Sequence, residues 1–187
     1  MHSGYAPCKS CCSILPHGSW IDFEHEIKLL VPKEFNFNEN LQYLQRSPNE
    51  CMFNIENDKI YRALSIEQEN PLIEISADQE NGLVIRFTNN TATQPKWIRA
   101  AIASYVREWF DLDTNLSPFY DLAGKDLLLN KPVNENYGLR NMGIPNLFEA
   151  LCWGILGQQI KLTYAYTLKR RLVESFGEYV EWEKKKH

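Results

Sequence analysis

Trp97-Ile98-Arg99-Ala100-Ala101-Ile102-Ala103-Ser104-Tyr105-Val106-Arg107-Glu108-Trp109-Phe110 repeats its apolar residues at the spacing of a helix. Ile98, Ala101, Ile102, Tyr105, Val106, Trp109 and Phe110 fall on one stripe. A stripe of that width belongs to a helix that covers something. What it covers is readable just upstream. Leu83, Ile85 and Phe87 alternate at period two, Leu72 to Ser76 forms a second apolar run, and Asp78-Gln79-Glu80-Asn81-Gly82 supplies a polar turn between them. That is the pattern of a β-hairpin.

Further back, Lys59 to Ile66 reads as another strand. Ile60, Leu64 and Ile66 share a face, with Arg62 as a charged exception. Ile27 to Val31 forms an earlier strand closed by Pro32, and Asn38 is positioned to cap a short helix through Leu41 and Leu44. Strands followed by one covering helix predict a small α+β unit over residues 26–112. Residues 1–25, broken by Gly4, Pro7, Pro16 and Gly18, are expected to be a disordered extension.

Downstream of Asp111 the pattern turns helical. Ser117-Pro118 opens a short helix, and a loop with two glycines runs from Gly138 to Pro145. A helix follows, with Leu147, Phe148, Leu151, Cys152 and Ile155 expected to face inward, until Gly157-Gln158-Gln159 breaks it. A second helix is predicted from about Leu162 to Phe176, with Leu162, Ala165, Leu168, Leu172 and Phe176 as its buried stripe and Gly177 as its stop. Residues 113–187 are therefore expected to begin an all-helical domain.

Composition excludes several classes. The chain has 187 residues, 44% hydrophobic and 24% charged, with nine Phe, nine Tyr and five Trp, enough bulk for a real core. No apolar run approaches the roughly 18 residues of a membrane span, and the N-terminus has no secretory pattern, so a cytoplasmic, monomeric protein is expected. The net charge of -4 does not advertise a nucleic-acid binder, although the stretch after Asn146 is slightly basic. Five cysteines stand at 8, 11, 12, 51 and 152. Cys8 and Cys11 form half of a zinc site, but no second Cys-x-x-Cys occurs, so no metal and no cofactor are expected.

Within Gly143–Ile160, the elements Phe148-Glu149-Ala150-Leu151 and Ile155-Leu156-Gly157-Gln158-Gln159 resemble the opening helix pair of the helix-hairpin-helix DNA glycosylases. Among them the chain is most similar to the DNA-3-methyladenine glycosylase II group, and Trp109-Phe110-Asp111-Leu112-Asp113 resembles that group's join between N-terminal and helical domains. The resemblance spans roughly residues 27–182. It implies a sheet like half of a TATA-binding-protein fold, then the first helices of the glycosylase core. The implied function is base-excision repair: flipping an alkylated purine out of double-stranded DNA and hydrolysing its N-glycosidic bond.

The resemblance also implies site residues. Gln159 is the candidate wedge that fills the gap left by a flipped nucleotide, with Gln158 beside it at the pocket mouth; a polar turn between helices would look the same. Related enzymes often carry an apolar wedge here. Lys161 can meet a phosphate, as can Lys169, Arg170 and Arg171, the last three being equally readable as a solvated helix face. Trp153, Tyr164 and Tyr166 can line a base pocket by stacking or simply be core. The hairpin that binds a phosphate and the catalytic Asp have no counterpart before His187, so the chain is read as truncated, with no catalytic residue of its own and no activity expected alone. The alternatives are a non-enzymatic DNA-binding remnant and a scaffold domain unrelated to DNA.

Overall fold

The computed structural model describes residues 20–80, 82–88, 94–183 and 185–186. Six strands form one antiparallel sheet: β1 (Trp20–Asp22), β2 (Glu26–Leu29), β3 (Asn54–Glu56), β4 (Lys59–Ala63), β5 (Leu72–Ala77) and β6 (Leu83–Phe87). Their order across the sheet is β1-β2-β6-β5-β4-β3. The sheet begins at Trp20, seven residues before the Ile27 at which periodicity placed the first order. Trp20–Asp22 pairs with Ile27–Leu29, so part of the expected extension is sheet edge. The cysteine cluster at 8, 11 and 12 lies outside the described residues.

Register explains the core. Ile27, Ile85 and Ile75 lie opposite one another across β2, β6 and β5, and Ile60 continues the row on β4. All four are fully buried. Helix α1 (Phe37–Leu44) and helix α2 (Lys96–Trp109) supply the facing side chains, including Phe37, Leu41, Ile98, Ile102, Val106 and Trp109. Phe110, fully buried just past α2, meets Phe35 edge-on at 6.1 Å between ring centres. The N-cap of α1 is Asn36, whose side chain accepts from the Asn38 amide, so the cap falls two residues earlier than predicted.

The turn between β5 and β6 is held by one carboxylate. Asp78 Oδ1 accepts the Gly82 amide at 2.7 Å and the Glu80 amide at 2.9 Å, while Oδ2 lies 2.6 Å from Lys28 Nζ. These contacts, the Lys28 hydrogen bond first, hold the Asp78 carboxyl below its ordinary range.

Four helices follow: α3 (Ser117–Ala123), α4 (Asn130–Glu135), α5 (Leu147–Leu156) and α6 (Leu162–Phe176). Buried polar groups tie this half to the first. Asn40 Nδ2 donates to Gly138 O at 2.9 Å, and its Oδ1 accepts the Arg140 amide at 3.0 Å. Arg140 Nε donates to Asp111 O at 3.0 Å. Gly138 has φ +87, and a Cβ there would lie 2.5 Å from the Asn36 amide nitrogen, so glycine is required on both counts. A final hairpin, β7 (Glu181–Trp182) with β8 (Lys185–Lys186), returns to the outer face of the sheet, where Trp182 stacks on Tyr61 at 5.4 Å. No helix among the described residues is long and apolar enough to cross a membrane.

Two expectations about the helical half fail. On α5, Leu147, Phe148, Leu151 and Ile155 are 60%, 74%, 57% and 67% exposed rather than inward-facing. On α6, the buried residues are Ala165, Tyr166 and Lys169, while Leu162 and Phe176, expected in the stripe, are exposed. The physical reason is that the side of this helix pair nearest the sheet is held by buried ion pairs beside the Trp153–Tyr166 contact, which turns the leucines of α5 the other way.

Candidate nucleic-acid interface

The junction between α5 and α6 is built by local signals. The Asn146 side chain caps α5 by accepting the Glu149 amide at 2.9 Å. Helix α5 ends at Gly157, whose amide donates to Trp153 O at 2.9 Å. Gln159 then adopts φ +56, the left-handed region that a glutamine reaches at a cost. This reversal lets the chain start α6 with five residues between it and the end of α5. Gln158, Gln159, Ile160 and Lys161 are all exposed. Lys161 is the N-cap of α6, and no side chain caps that terminus. The unsatisfied amides of a helix start, with a lysine beside them, suit an anion.

Of the three candidate pocket aromatics, the structure brings two together. Trp153 and Tyr166 meet at 4.8 Å between ring centres, and Tyr164 is 51% exposed. The Trp153–Tyr166 pair lines a cavity of about 200 Å³ at the seam between the helices and the sheet domain, together with Arg46, Glu50, Arg62, Glu149 and Lys169. Tyr166 is buried, and its hydroxyl accepts from Arg46 Nε at 3.0 Å.

Lys169 and Arg170 are not free for phosphate. Lys169 Nζ donates to Glu50 Oε1 at 3.1 Å and to Glu149 Oε1 at 3.2 Å, with 11% of its side chain exposed. Glu149 also accepts from Arg62 Nη2 at 2.8 Å. Arg170 Nη2 donates to the Pro48 and Glu50 carbonyls at 3.3 and 3.1 Å. Arg171 remains exposed. Of this four-charge seam, Glu50–Lys169–Glu149–Arg62, the sequence offers Lys169 alone, and as a phosphate contact rather than as part of a buried network. The seam's signal was Arg62 standing within an otherwise apolar strand face. There it lies over the Trp109 ring, 4.8 Å from the ring centre. Burial pushes the neighbouring Cys51 thiol up, and the Glu50 charge adds to the effect.

With this geometry in hand, residues 28–151 match the family described as 8-oxoguanine DNA glycosylase, N-terminal domain. The chain belongs to this DNA glycosylase family. A curated relative, the DNA-3-methyladenine glycosylase of Bacillus subtilis (strain 168), is 44% identical over 169 residues, 90% of this chain. The chain spans 56% of that relative's length.

Solved structures share the glycosylase fold. The 3-methyladenine DNA glycosylase of Archaeoglobus fulgidus aligns with TM-score 0.67 at 22% identity, covering 86% of this chain and 53% of its own. The apo 8-oxoguanine glycosylase/lyase of Clostridium acetobutylicum aligns with TM-score 0.60 at 14% identity, covering 90% and 53%. The same enzyme with double-stranded DNA bearing cytosine opposite 8-oxoguanine aligns at 0.59 and 15%, covering 90% and 52%. The α+β glycosylase architecture of the chain is thus shared across both named specificities.

Proposed function

We propose that this chain is the lesion-engaging part of a base-excision DNA glycosylase for alkylated purines, and that the Gln158–Lys161 loop is its contact with double-stranded DNA. The observation that carries this reading is the loop itself. A non-glycine residue, Gln159, is held at φ +56 on an exposed reversal, next to a lysine and the uncapped start of α6. The left-handed backbone turns the chain there and leaves the Gln159 side chain exposed. A side chain there can enter the stack and offset part of the few kcal/mol that flipping a nucleotide costs, while Lys161 and the α6 amides hold a phosphate. The choice of alkylated purine over oxidised guanine follows the relative at 44% identity, against 14–15% for the 8-oxoguanine enzymes.

The 187 residues alone are expected to bind lesion DNA weakly and to release no base. Stabilising the cationic sugar needs a carboxylate a few ångströms from the anomeric carbon. Glu149 is committed to Arg62 and Lys169. Glu174 lies twelve residues along α6 from Leu162, about 18 Å along the axis. Fluorescence anisotropy with an abasic-site duplex tests the loop. Wild type should bind with a logarithmic salt slope of about -2 to -4, and the Gln159→Ala/Lys161→Ala variant should bind more weakly. Equal affinities would remove the loop as the DNA contact. A free-base assay on DNA carrying 3-methyladenine tests the chemistry.

A further inference from the structure

Arg46, Pro48, Asn49 and Glu50, in the segment between α1 and β3, reach across to α6. Arg46 donates to the Tyr166 hydroxyl at 3.0 Å and Asn49 to Thr167 Oγ1 at 3.4 Å, while Arg170 donates to the Pro48 and Glu50 carbonyls. The charged link is Lys169. It meets Glu50 of that segment at 3.1 Å and Glu149 of α5 at 3.2 Å, and Glu149 in turn meets Arg62 of β4 at 2.8 Å. One ammonium therefore joins both helices of the pair to the sheet domain. Beside these contacts lies the cavity of about 200 Å³. Close-packed side chains hold two bodies at one angle by shape. Across a hollow of that size shape gives way, and directional polar contacts set the angle instead. A buried ion pair adds little stability over an apolar replacement, and its best-attested use is to fix register.

Helix α6 is then a lever. Lys161 lies eight residues before Lys169, about 12 Å along the axis, so a tilt of about 10° about Lys169 moves the loop end by about 2 Å. Seating one side chain in a recognition site tolerates about 0.5 Å. We propose that Lys169 is a positioning residue for DNA. Through Glu50 and Glu149 it sets the angle of the α5–α6 pair on the sheet domain, and so places the Gln158–Lys161 loop for a lesion site without touching DNA itself. Lys169 is buried, which fits this role and not that of a phosphate contact. The inference rests on the proposed DNA reading, since the angle matters only if the loop is the contact.

The test is fluorescence anisotropy on the full 187-residue chain with two duplexes, one carrying an abasic site and one undamaged. Lys169→Met should weaken abasic-site binding at least about fivefold and undamaged binding less than about twofold, because misplacement penalises the geometry-dependent mode. Glu50→Gln keeps an acceptor for the Cys51 and Met52 amides and removes the charge that Lys169 meets. It should lower the same preference, and it keeps the test decisive if Lys169→Met folds poorly. Lys169→Arg retains a cation with donors for both carboxylates and should recover abasic-site binding to within about twofold of wild type. Partial unfolding lowers the active fraction for both duplexes alike and leaves their ratio unchanged. A lost phosphate contact weakens both and flattens the logarithmic salt slope by about 0.9. Either pattern would overturn the assignment, as would wild-type preference in Glu50→Gln or a Lys169→Arg as weak as Lys169→Met. If wild type shows no preference for the abasic duplex, or Gln159→Ala/Lys161→Ala binds it equally well, the DNA reading falls and this inference with it. If the loop variant binds weakly while the seam variants keep the preference, this inference alone falls.

Discussion

Replacing Lys169 by Met leaves a near-isosteric apolar stem and removes one charge from a buried group of four. In wild type the charges balance: Arg62 and Lys169 against Glu50 and Glu149. Their side chains are 6%, 11%, 13% and 12% exposed, at contact distances of 2.8 to 3.2 Å. Without Lys169 both carboxylates stay in the seam with one cation between them. Glu149 keeps Arg62, and Glu50 keeps the Cys51 and Met52 amides at 2.8 and 2.9 Å. Breaking a buried pair from one side costs about 3–5 kcal/mol. The residual exposure and the two amides place Lys169→Met at the lower end, about 3 kcal/mol. The loss should be local to α6, since the two carboxylates that Lys169 meets, Glu50 and Glu149, lie outside the sheet and Arg62 on β4 keeps Glu149. Hydrogen exchange followed by mass spectrometry should show faster exchange in α6 with α2 and β5 unchanged, and urea unfolding should give the magnitude. Adding Glu50→Gln to Lys169→Met should cost less than the sum of the singles, with a coupling of about 1–3 kcal/mol. A Lys169→Met variant within about 0.5 kcal/mol of wild type, with α6 exchange unaltered, would refute the claim that these charges hold the helix pair in place.

Trp109→Ala should destabilise the chain by about 3–5 kcal/mol, because Trp109 is 3% exposed and contacts Phe53, Tyr105 and Phe110; chemical denaturation measures it. Gly138→Ala should cost more than about 1 kcal/mol, since the new Cβ meets the Asn36 amide in a positive-φ backbone; the readout is the thermal midpoint. Asp78→Ala should cost about 1–3 kcal/mol by freeing two turn amides and Lys28. The folded-state pKa of Asp78 is depressed, so its contribution is present above the ordinary value near 3.8 and is lost as pH falls through the depressed one. Wild type should therefore lose stability below about pH 4 more steeply than Asp78→Ala, as pH-dependent urea midpoints will show.

The sequence by itself determined the longer elements and the family. The period-two runs became β5 and β6, the stripe ending at Trp109 became α2, and Leu162 to Phe176 became α6 with the predicted bounds. Local hydrogen bonding and the burial of one face suffice for these, and both leave a periodic trace. The Gly157-Gln158-Gln159 break was legible for the same reason, but the positive φ at Gln159 was not, because glutamine announces no such geometry. What tertiary structure alone decided is which faces meet. Apolar periodicity says that a face seeks burial, so Leu147, Phe148, Leu151 and Ile155 read as core although nothing among the described residues covers them. Conversely, Lys169 and Arg170 read as surface charge, yet Glu50 and Glu149 hold Lys169 buried and the Pro48 carbonyl holds Arg170 half-buried. A charge is buried when its partner arrives from elsewhere in the chain. Arg62, Glu50, Glu149 and Lys169 are separated by up to 119 residues in sequence, so their pairing exists only in the folded molecule.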